Sequence, residues 1–431
     1  MSPFSIIDFL YTVVMNIKDT KILVLPYTHT LSHLSRPLEI AKHLSEHGCR
    51  IIFAGQSEKT KFIREEGFQV EDLFEPDPDT LYGNIRENKI RFIEDRIVNE
   101  MVEDDIRLFN KVKPNVILSD GRFSVMVSAQ KSKIQHISIV NASSTAYRAI
   151  PYVPLIKNID LDTYPFQKTF NRLVARFNLK IEMRIFNIFM NSFSRLTRKH
   201  NLSIPVTATN CLCGVDLTLL ADIPDFFPTE NMPETYRYIG PITWKSNPTQ
   251  AFPKWWPIDK HKKKLIYLTM GTTGEEDLFS KVYNAVKKSD MLCIITTGSQ
   301  SDKIKSVPGK IYVTDYMDGD AVMEIADIVI CHGGNGTIYQ ALSHGVPVIG
   351  IPTIPDQEFN MRRLEALGAG IKISMADALS KPELLLQSIQ KFEDAPEFYA
   401  APISELKKQL RQINGAQKGA MLIREFIETK L

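Results

Sequence analysis

Ile328-Val-Ile-Cys-His332-Gly-Gly-Asn-Gly336-Thr-Ile-Tyr-Gln340-Ala-Leu-Ser-His344-Gly345 is the stretch from which the fold can be read. Ile328 to Cys331 has the form of a strand buried on both faces. Glycines at 333, 334 and 336 interrupt it. A short helix follows and ends at Gly345, a glycine stop. A strand that passes through glycines into a helix leaves the first helical N–H groups unpaired and the positive end of the helix dipole exposed. Such an end suits a phosphate. Gly333, Gly334 and Gly336 allow the backbone close to a pyrophosphate. Thr337 adds a hydroxyl, and His332 a ring N–H that can offset charge growing on a departing phosphate. A ligand-free glycine turn would satisfy the same residues, so the flanks must decide.

The flanks repeat the strand–helix alternation. Leu265–Met270, Leu292–Thr297, Ile311–Asp315 and Val346–Ile351 are further apolar runs with helical patterns between them. The first half does the same with Ile22–Pro26, Arg50–Gly55, Asn115–Asp120 and His136–Asn141. Between the first two, Pro37–Glu46 places Leu38, Ala41 and Leu44 on one helical face before Gly48. These are βαβ units, so the class is α/β with doubly wound parallel sheets. At 431 residues the chain exceeds one core. A proline-rich stretch, 222–257, carries Gly240-Pro241 and Trp255-Trp256-Pro257. The expected division is a first domain over 1–240 (with 1–18 an extension), a linker over 241–260 and a second domain over 261–400. Helices over 401–431 are expected to pack back on the first domain.

Lys+Arg 52 against Asp+Glu 50 leaves +2, with no overall pull toward nucleic acid. An odd count of five cysteines argues for buried thiols and a reducing compartment rather than a disulfide framework. Phe4 to Val14 is apolar but carries Asp8 and lacks a basic lead, unlike a signal peptide. The expected location is cytoplasmic. Residues 165–200 combine Phe166, Phe170, Phe177, Phe186, Phe189 and Phe193 with eight Lys or Arg and one acid, Glu182. Two readings stand: a helical lid over an acceptor cleft, or a surface resting on anionic lipid at the inner face of a membrane.

After Gln340 come Gly345-Val-Pro347, Gly350-Ile-Pro352, Asp356-Gln357, Asn360 and Leu367-Gly368. Taken in order with His332 and the glycines, these resemble the donor signature of the UDP-glycosyltransferases, a family with the two-domain GT-B fold. The resemblance implies that His332, Gly333, Gly334, Asn335, Gly336 and Thr337 hold the diphosphate of a nucleotide sugar. It puts Gln340, where the family usually has Glu, on the ribose, and Asp356 and Gln357 on the sugar hydroxyls. Met270-Gly-Thr-Thr273 matches a second turn, so Gly271, Thr272 and Thr273 would also reach the phosphates. The base-stacking group would lie near Tyr312–Met317.

The first domain offers Tyr27-Thr-His-Thr-Leu-Ser-His33-Leu-Ser-Arg-Pro37 directly after the first strand. An acceptor hydroxyl is a poor nucleophile until a base takes its proton, and a neutral imidazole suits that near pH 7. A carboxylate should orient that imidazole. Within the resemblance, His33 aligns with the family's base and Asp120, at a strand's carboxyl end, with its partner; His29 competes for the role. The implied reaction is displacement with inversion, moving a hexosyl group from a UDP-sugar such as UDP-glucose to a hydroxyl of a small lipophilic acceptor. It asks for no cofactor and no metal. A dTDP-sugar or lipid glycosyltransferase and a catalytically silent nucleotide-binding relative are the alternatives.

His43-Leu-Ser-Glu46-His47 matches a zinc-peptidase pattern, but its place at a helix end beside Gly48 favours polar surface residues. Asp77-Pro-Asp79, Asp160-Leu-Asp162 and Asp318-Gly-Asp320 resemble short metal-binding acidic motifs, which arise often by chance.

Overall fold

The structure is a computed structural model. It describes residues 20–87, 89–152, 165–243, 252–269, 276–298, 304–381 and 383–430. The chain divides into two compact units, 1–242 with 414–431, and 243–413.

Unit 1 is built on a seven-stranded parallel sheet of order β3-β2-β1-β4-β5-β6-β7. Its strands are β1 (Lys21–Pro26), β2 (Arg50–Ala54), β3 (Gln69–Glu71), β4 (Val116–Asp120), β5 (Gln135–Val140), β6 (Leu217–Leu220) and β7 (Tyr236–Tyr238). Alternation along β1 serves both faces. Ile22 and Val24 join one apolar cluster with Leu34, Leu38 and Ala41, while Leu23 and Leu25 join another with Leu108, Phe109 and Val125. Burial on both sides is why these strands read as unbroken apolar runs.

Unit 2 has a six-stranded parallel sheet of order β10-β9-β8-β11-β12-β13. Here β8 is Leu265–Thr269, β9 Leu292–Thr296, β10 Ile311–Thr314, β11 Ile328–Cys331, β12 Val348–Gly350 and β13 Gly370–Lys372. Both sheets are doubly wound. In each, the chain works outward from one strand, then returns to that strand's other side. The reversal falls between β1 and β4 in unit 1 and between β8 and β11 in unit 2. Open α/β sheets bind ligands at such switch points, beyond the carboxyl ends of the strands.

Three details adjust the sequence reading. The first crossover helix begins at Leu31, six residues before Pro37, which lies inside it. Proline there forfeits one N–H bond and crowds the carbonyl of His33, a local cost that the helix carries in its second turn. Trp255 packs against Tyr312 of β10, with ring centroids 5.3 Å apart, so this part of the proline-rich stretch belongs to unit 2. The helix Pro396–Arg411 also stays with unit 2, where Lys407 Nζ and Arg411 Nε donate to the carbonyls of His344 and Ser343. The helix Gly415–Lys430 returns to unit 1, where Ile423 and Ile427 are fully buried in the cluster that holds Ile40 and Leu44. All five cysteines are buried free thiols. No described helix is long and apolar enough to cross a membrane.

Candidate active site

At the unit 1 switch point, β4 ends in Asp120, paired in register with Pro26 of β1. The helix Leu31–Glu46 starts just past β1 and turns His33 back over that strand end. His33 Nδ1 lies 2.7 Å from Asp120 Oδ1. Asp120 is fully buried in its side chain, and His33 is 29% exposed. Gly121, at φ +73°, makes room for the ring: a Cβ there would come within 2.7 Å of His33 Cγ.

Arg36, one turn along the same helix, was not singled out from the sequence. Its Nε and Nη2 donate to Asp120 Oδ2 and Oδ1 at 2.8 and 2.5 Å. Its Nη1 donates to Asn141 Oδ1 at 2.5 Å. The available signal was the i, i+3 spacing from His33, which puts both side chains on one helical face. With the helix start read at Pro37, Arg36 fell outside it. Asp120 therefore holds a bidentate guanidinium and a histidine together. Arg36 Nη2 also lies 3.1 Å from His33 Nδ1, but the shorter contact, 2.7 Å to a carboxylate that only accepts, assigns Nδ1 as the donor and leaves the lone pair of a neutral ring on Nε2. That is the form of a general base. His29 makes no such contact. It is half-buried beside the Tyr27 ring, and burial lowers its pKa.

At the unit 2 switch point, β11 ends at Cys331 and the helix Asn335–His344 begins four residues later. His332, Gly333 and Gly334 form the turn, and Gly333 has φ +86°. A Cβ at Gly333 would lie 2.7 Å from Met361 Cγ, and one at Gly334 would lie 2.6 Å from His332 Nε2. Glycine is thus needed at both places for close packing and at Gly333 for backbone shape. At Gly336 an added Cβ would meet nothing within 4 Å. Thr337 is half-buried in the same first turn.

His332 is 9% exposed, and burial pushes its pKa down to about 4. It is therefore neutral near pH 7 and can act only through a single N–H, not as a cation. Among the described residues its buried Nδ1 has no hydrogen-bond partner, and neither does Oδ1 of Asn360. Asn360 Nδ2 meanwhile donates to the Gly333 carbonyl at 2.9 Å, holding the turn. Buried polar atoms without partners are costly, about 1–3 kcal/mol each. Two such atoms flanking a helix N-terminus mark a place shaped for a polar ligand.

The remaining donor-side residues divide. Gln340 Nε2 donates to Asp320 Oδ1 at 3.0 Å, and His344 Nε2 lies 3.1 Å from the same oxygen. Asp356 Oδ2 accepts from Asn360 Nδ2 at 3.4 Å. Gln357 is buried, with its carbonyl oxygen accepting from Thr353 N and Oγ1. Gly271, Thr272 and Thr273 lie outside the described residues.

The metal-like motifs have ordinary uses. Asp77 Oδ2 accepts from Thr80 N, and Asp318 Oδ1 accepts from Asp320 N and Ala321 N, both as helix caps. His47 Nδ1 bonds the His43 carbonyl oxygen. Asp160-Leu-Asp162 lies outside the described residues. Among the described residues no group of three or more His, Cys, Asp or Glu is placed to hold a metal ion.

Residues 265–418 match the model of the glycosyltransferase family 28 C-terminal domain. The chain is 31% identical over 358 residues to a PGL/p-HBAD biosynthesis glycosyltransferase of Mycobacterium tuberculosis strain H37Ra, covering 81% of this chain and 80% of that one. It is 30% identical over 355 residues to a PGL/p-HBAD biosynthesis rhamnosyltransferase of Mycobacterium bovis BCG, covering 81% and 76%. Among solved structures, the spinosyn rhamnosyltransferase SpnG complexed with thymidine diphosphate superposes with TM-score 0.68 at 18% identity, over 94% of this chain and 99% of that one.

Proposed function

The chain belongs to the UDP-glycosyltransferase family and is a glycosyltransferase of GT-B fold, and from that premise we propose that it transfers a hexosyl group, with inversion, from a nucleoside diphosphate sugar to a hydroxyl of a small lipophilic acceptor. The observation that carries the reading is the buried Asp120–Arg36 pair that grips His33 through Nδ1. It leaves Nε2 to take the acceptor's proton as the acceptor oxygen attacks the anomeric carbon. The bond from that carbon to the diphosphate oxygen breaks at the same time. The negative charge released on the diphosphate is met by the N-terminal N–H groups of the 335–344 helix, by Thr337 and by neutral His332. The lipophilic acceptor is supported by the aromatic cluster of unit 1, where Tyr27 packs with Phe74, Phe92, Phe123 and Phe186. The relatives' place in PGL/p-HBAD biosynthesis also supports it.

The donor base has a second reading favoured by Gln340. A carboxylate at that position could accept from both ribose hydroxyls. Gln340 has its amide nitrogen committed to Asp320 and offers one carbonyl oxygen. One neutral oxygen grips a diol less firmly than the two oxygens of a carboxylate, which leans toward the lone 3′-hydroxyl of a deoxyribose, and so a dTDP-sugar. A rhamnosyltransferase relative and a fold neighbour holding thymidine diphosphate lean the same way.

Calorimetry with UDP and dTDP, followed by donor-sugar turnover in wild type and His33→Ala, tests both points. The base assignment predicts that His33→Ala keeps nucleotide affinity and loses turnover by at least about a hundredfold. A wild type that binds neither nucleotide would end the donor assignment. Binding without any turnover on hydroxylated lipids and phenols would favour a silent relative.

A further inference from the structure

The helix Pro165–Phe189 carries two adjacent rows of side chains spaced four residues apart. One row is Leu173, Phe177, Ile181, Ile185 and Phe189, and the next is Arg176, Lys180, Arg184 and Ile188. Residues four apart lie above one another on a helix, so each row is a continuous stripe. The first stripe faces out: Leu173 is 58% exposed, Phe177 64%, Ile185 44% and Phe189 54%, with Ile188 of the neighbouring stripe at 64%. Half of the large hydrophobic side chains exposed among the described residues fall on these seventeen positions. Scattered exposed apolar groups need no explanation, whereas a contiguous stripe does.

The opposite side of the helix is held to unit 1. Phe186 stacks on Phe92, Glu182 accepts from Arg148 Nη2, and Asn187 bonds Thr209. The exposed stripe is therefore not a core face awaiting its own unit.

Charge says what covers it. Residues 165–200 hold eight Lys or Arg against one acid, a formal +7, while the whole chain is +2, leaving −5 on the rest. Some of these cations are engaged: Arg176 pairs with Glu230 and Arg195 with Asp95. Lys180 and Arg184 stand exposed along the apolar stripe. An apolar stripe bordered by cations, on a helix too polar to span a bilayer, suits one lying in the headgroup layer of an anionic membrane, with rings inserted and Lys and Arg stems reaching to phosphates. We propose that the 165–189 helix is a peripheral docking surface for an anionic lipid bilayer. The inference stands apart from the assignment of donor and base.

The test is co-sedimentation of the full chain with phosphatidylcholine vesicles, with and without phosphatidylglycerol. Wild type should sediment only with the anionic vesicles, and less so as salt is raised. Lys180→Glu/Arg184→Glu should lower the partition coefficient by at least about thirtyfold. Phe177→Gln/Phe189→Gln should lower it on the order of tenfold for each ring removed. Unchanged melting temperatures establish that both variants fold; should one fail, the other carries the test. Wild type remaining in the supernatant with anionic vesicles would overturn the proposal. So would variants that bind as wild type does. A Phe177→Gln/Phe189→Gln protein that turns a dimer into a monomer without altering vesicle binding would instead make this face a contact between copies of the chain.

Discussion

Arg36 decides how Asp120 can act on His33. A buried carboxylate facing only an imidazole would pay heavily for its charge. The guanidinium fork offsets that cost and fixes both oxygens in place, so Oδ1 meets Nδ1 at 2.7 Å. Lysine can supply the charge but not the planar fork. Arg36→Lys is therefore expected to fold, to keep nucleotide affinity, and to lose about ten- to a hundredfold in kcat as His33 loses its orientation. Arg36→Met leaves Asp120 charged and uncompensated, and should cost about 3–5 kcal/mol of stability. Calorimetric binding beside steady-state kinetics distinguishes the two. An Arg36→Lys enzyme with wild-type kcat would show that the fork has no positioning role.

His332 makes a second residue-scale prediction, in pH. Its folded pKa, near 4, lies below the ordinary 6.5. As pH falls, the unfolded chain takes up the proton first, so the stability from burying neutral His332 is complete above about pH 6.5 and is lost toward pH 4. The slope in that window approaches 1.4 kcal/mol per pH unit for one proton. Buried His136, pushed down to about 3, adds a similar term in unit 1. A diphosphate beside His332 would favour its protonation. Nucleotide binding should then take up a proton as pH falls below about 6, seen by calorimetry in buffers of different ionisation enthalpy. The uptake should vanish in His332→Asn; uptake that persists in that variant would place the proton elsewhere.

At the scale of elements, the 335–344 helix is arranged as a dipole with both ends used. Lys407 and Arg411 donate to its last carbonyls, and its N-terminus opens at Gly336 with no atom near the missing side chain. Alanine is a better helix former than glycine by up to about 1 kcal/mol. Gly336→Ala should therefore raise the stability of the free protein while weakening nucleotide binding by at least about tenfold. Thermal melting and titration report the two effects separately. A stabilised variant with unchanged affinity would show that phosphate does not occupy this space.

The same helix was legible in the sequence because strand, glycines and helix are contiguous. The longer strands of both sheets were legible as well, since burial on two faces makes each an unbroken apolar run. β3, with Gln69 and Glu71, β6, Leu217-Thr-Leu-Leu220, β7, Tyr236-Arg-Tyr238, and β13, Gly370-Ile-Lys372, were missed. Three or four residues carry too little pattern, and pairing to β2, β5, β6 and β12 is what makes these segments strands. The His33–Asp120 contact was legible only through the family resemblance, which aligns the two as base and partner; the place of Asp120 at a strand's carboxyl end agrees with it. Arg36 was not legible, since its role depends on where a helix starts six residues before a proline. The orphaned atoms of His332 and Asn360 depend on packing that no local pattern records.

At the scale of the whole molecule, the chain leaves unit 1 at Ile242 and comes back at Asn414. The returning helix, Gly415–Lys430, packs on the helix that carries His33 and Arg36. The fit is close: a Cβ at Gly419 would come within 2.6 Å of Ile40 Cδ1. Ile423 and Ile427 are fully buried there, with Ala416 and Ala420 alongside. Emptying such positions costs about 2–5 kcal/mol for each large aliphatic side chain, against a typical stability of 5–15 kcal/mol. Unit 1 should therefore fail as a fragment ending at Ile242 and fold when residues 414–431 are joined to it through a short flexible linker. Residues 243–413 contain a complete sheet and both ends of the 335–344 helix, so that fragment should fold alone and bind the nucleoside diphosphate within about threefold of the full chain's affinity. Circular dichroism melts and calorimetry on the three fragments check this. A fragment lacking 414–431 that melted cooperatively within a few degrees of the linked form would mean that the returning helix only decorates unit 1. The helix bearing His33 would then hold its place without that support.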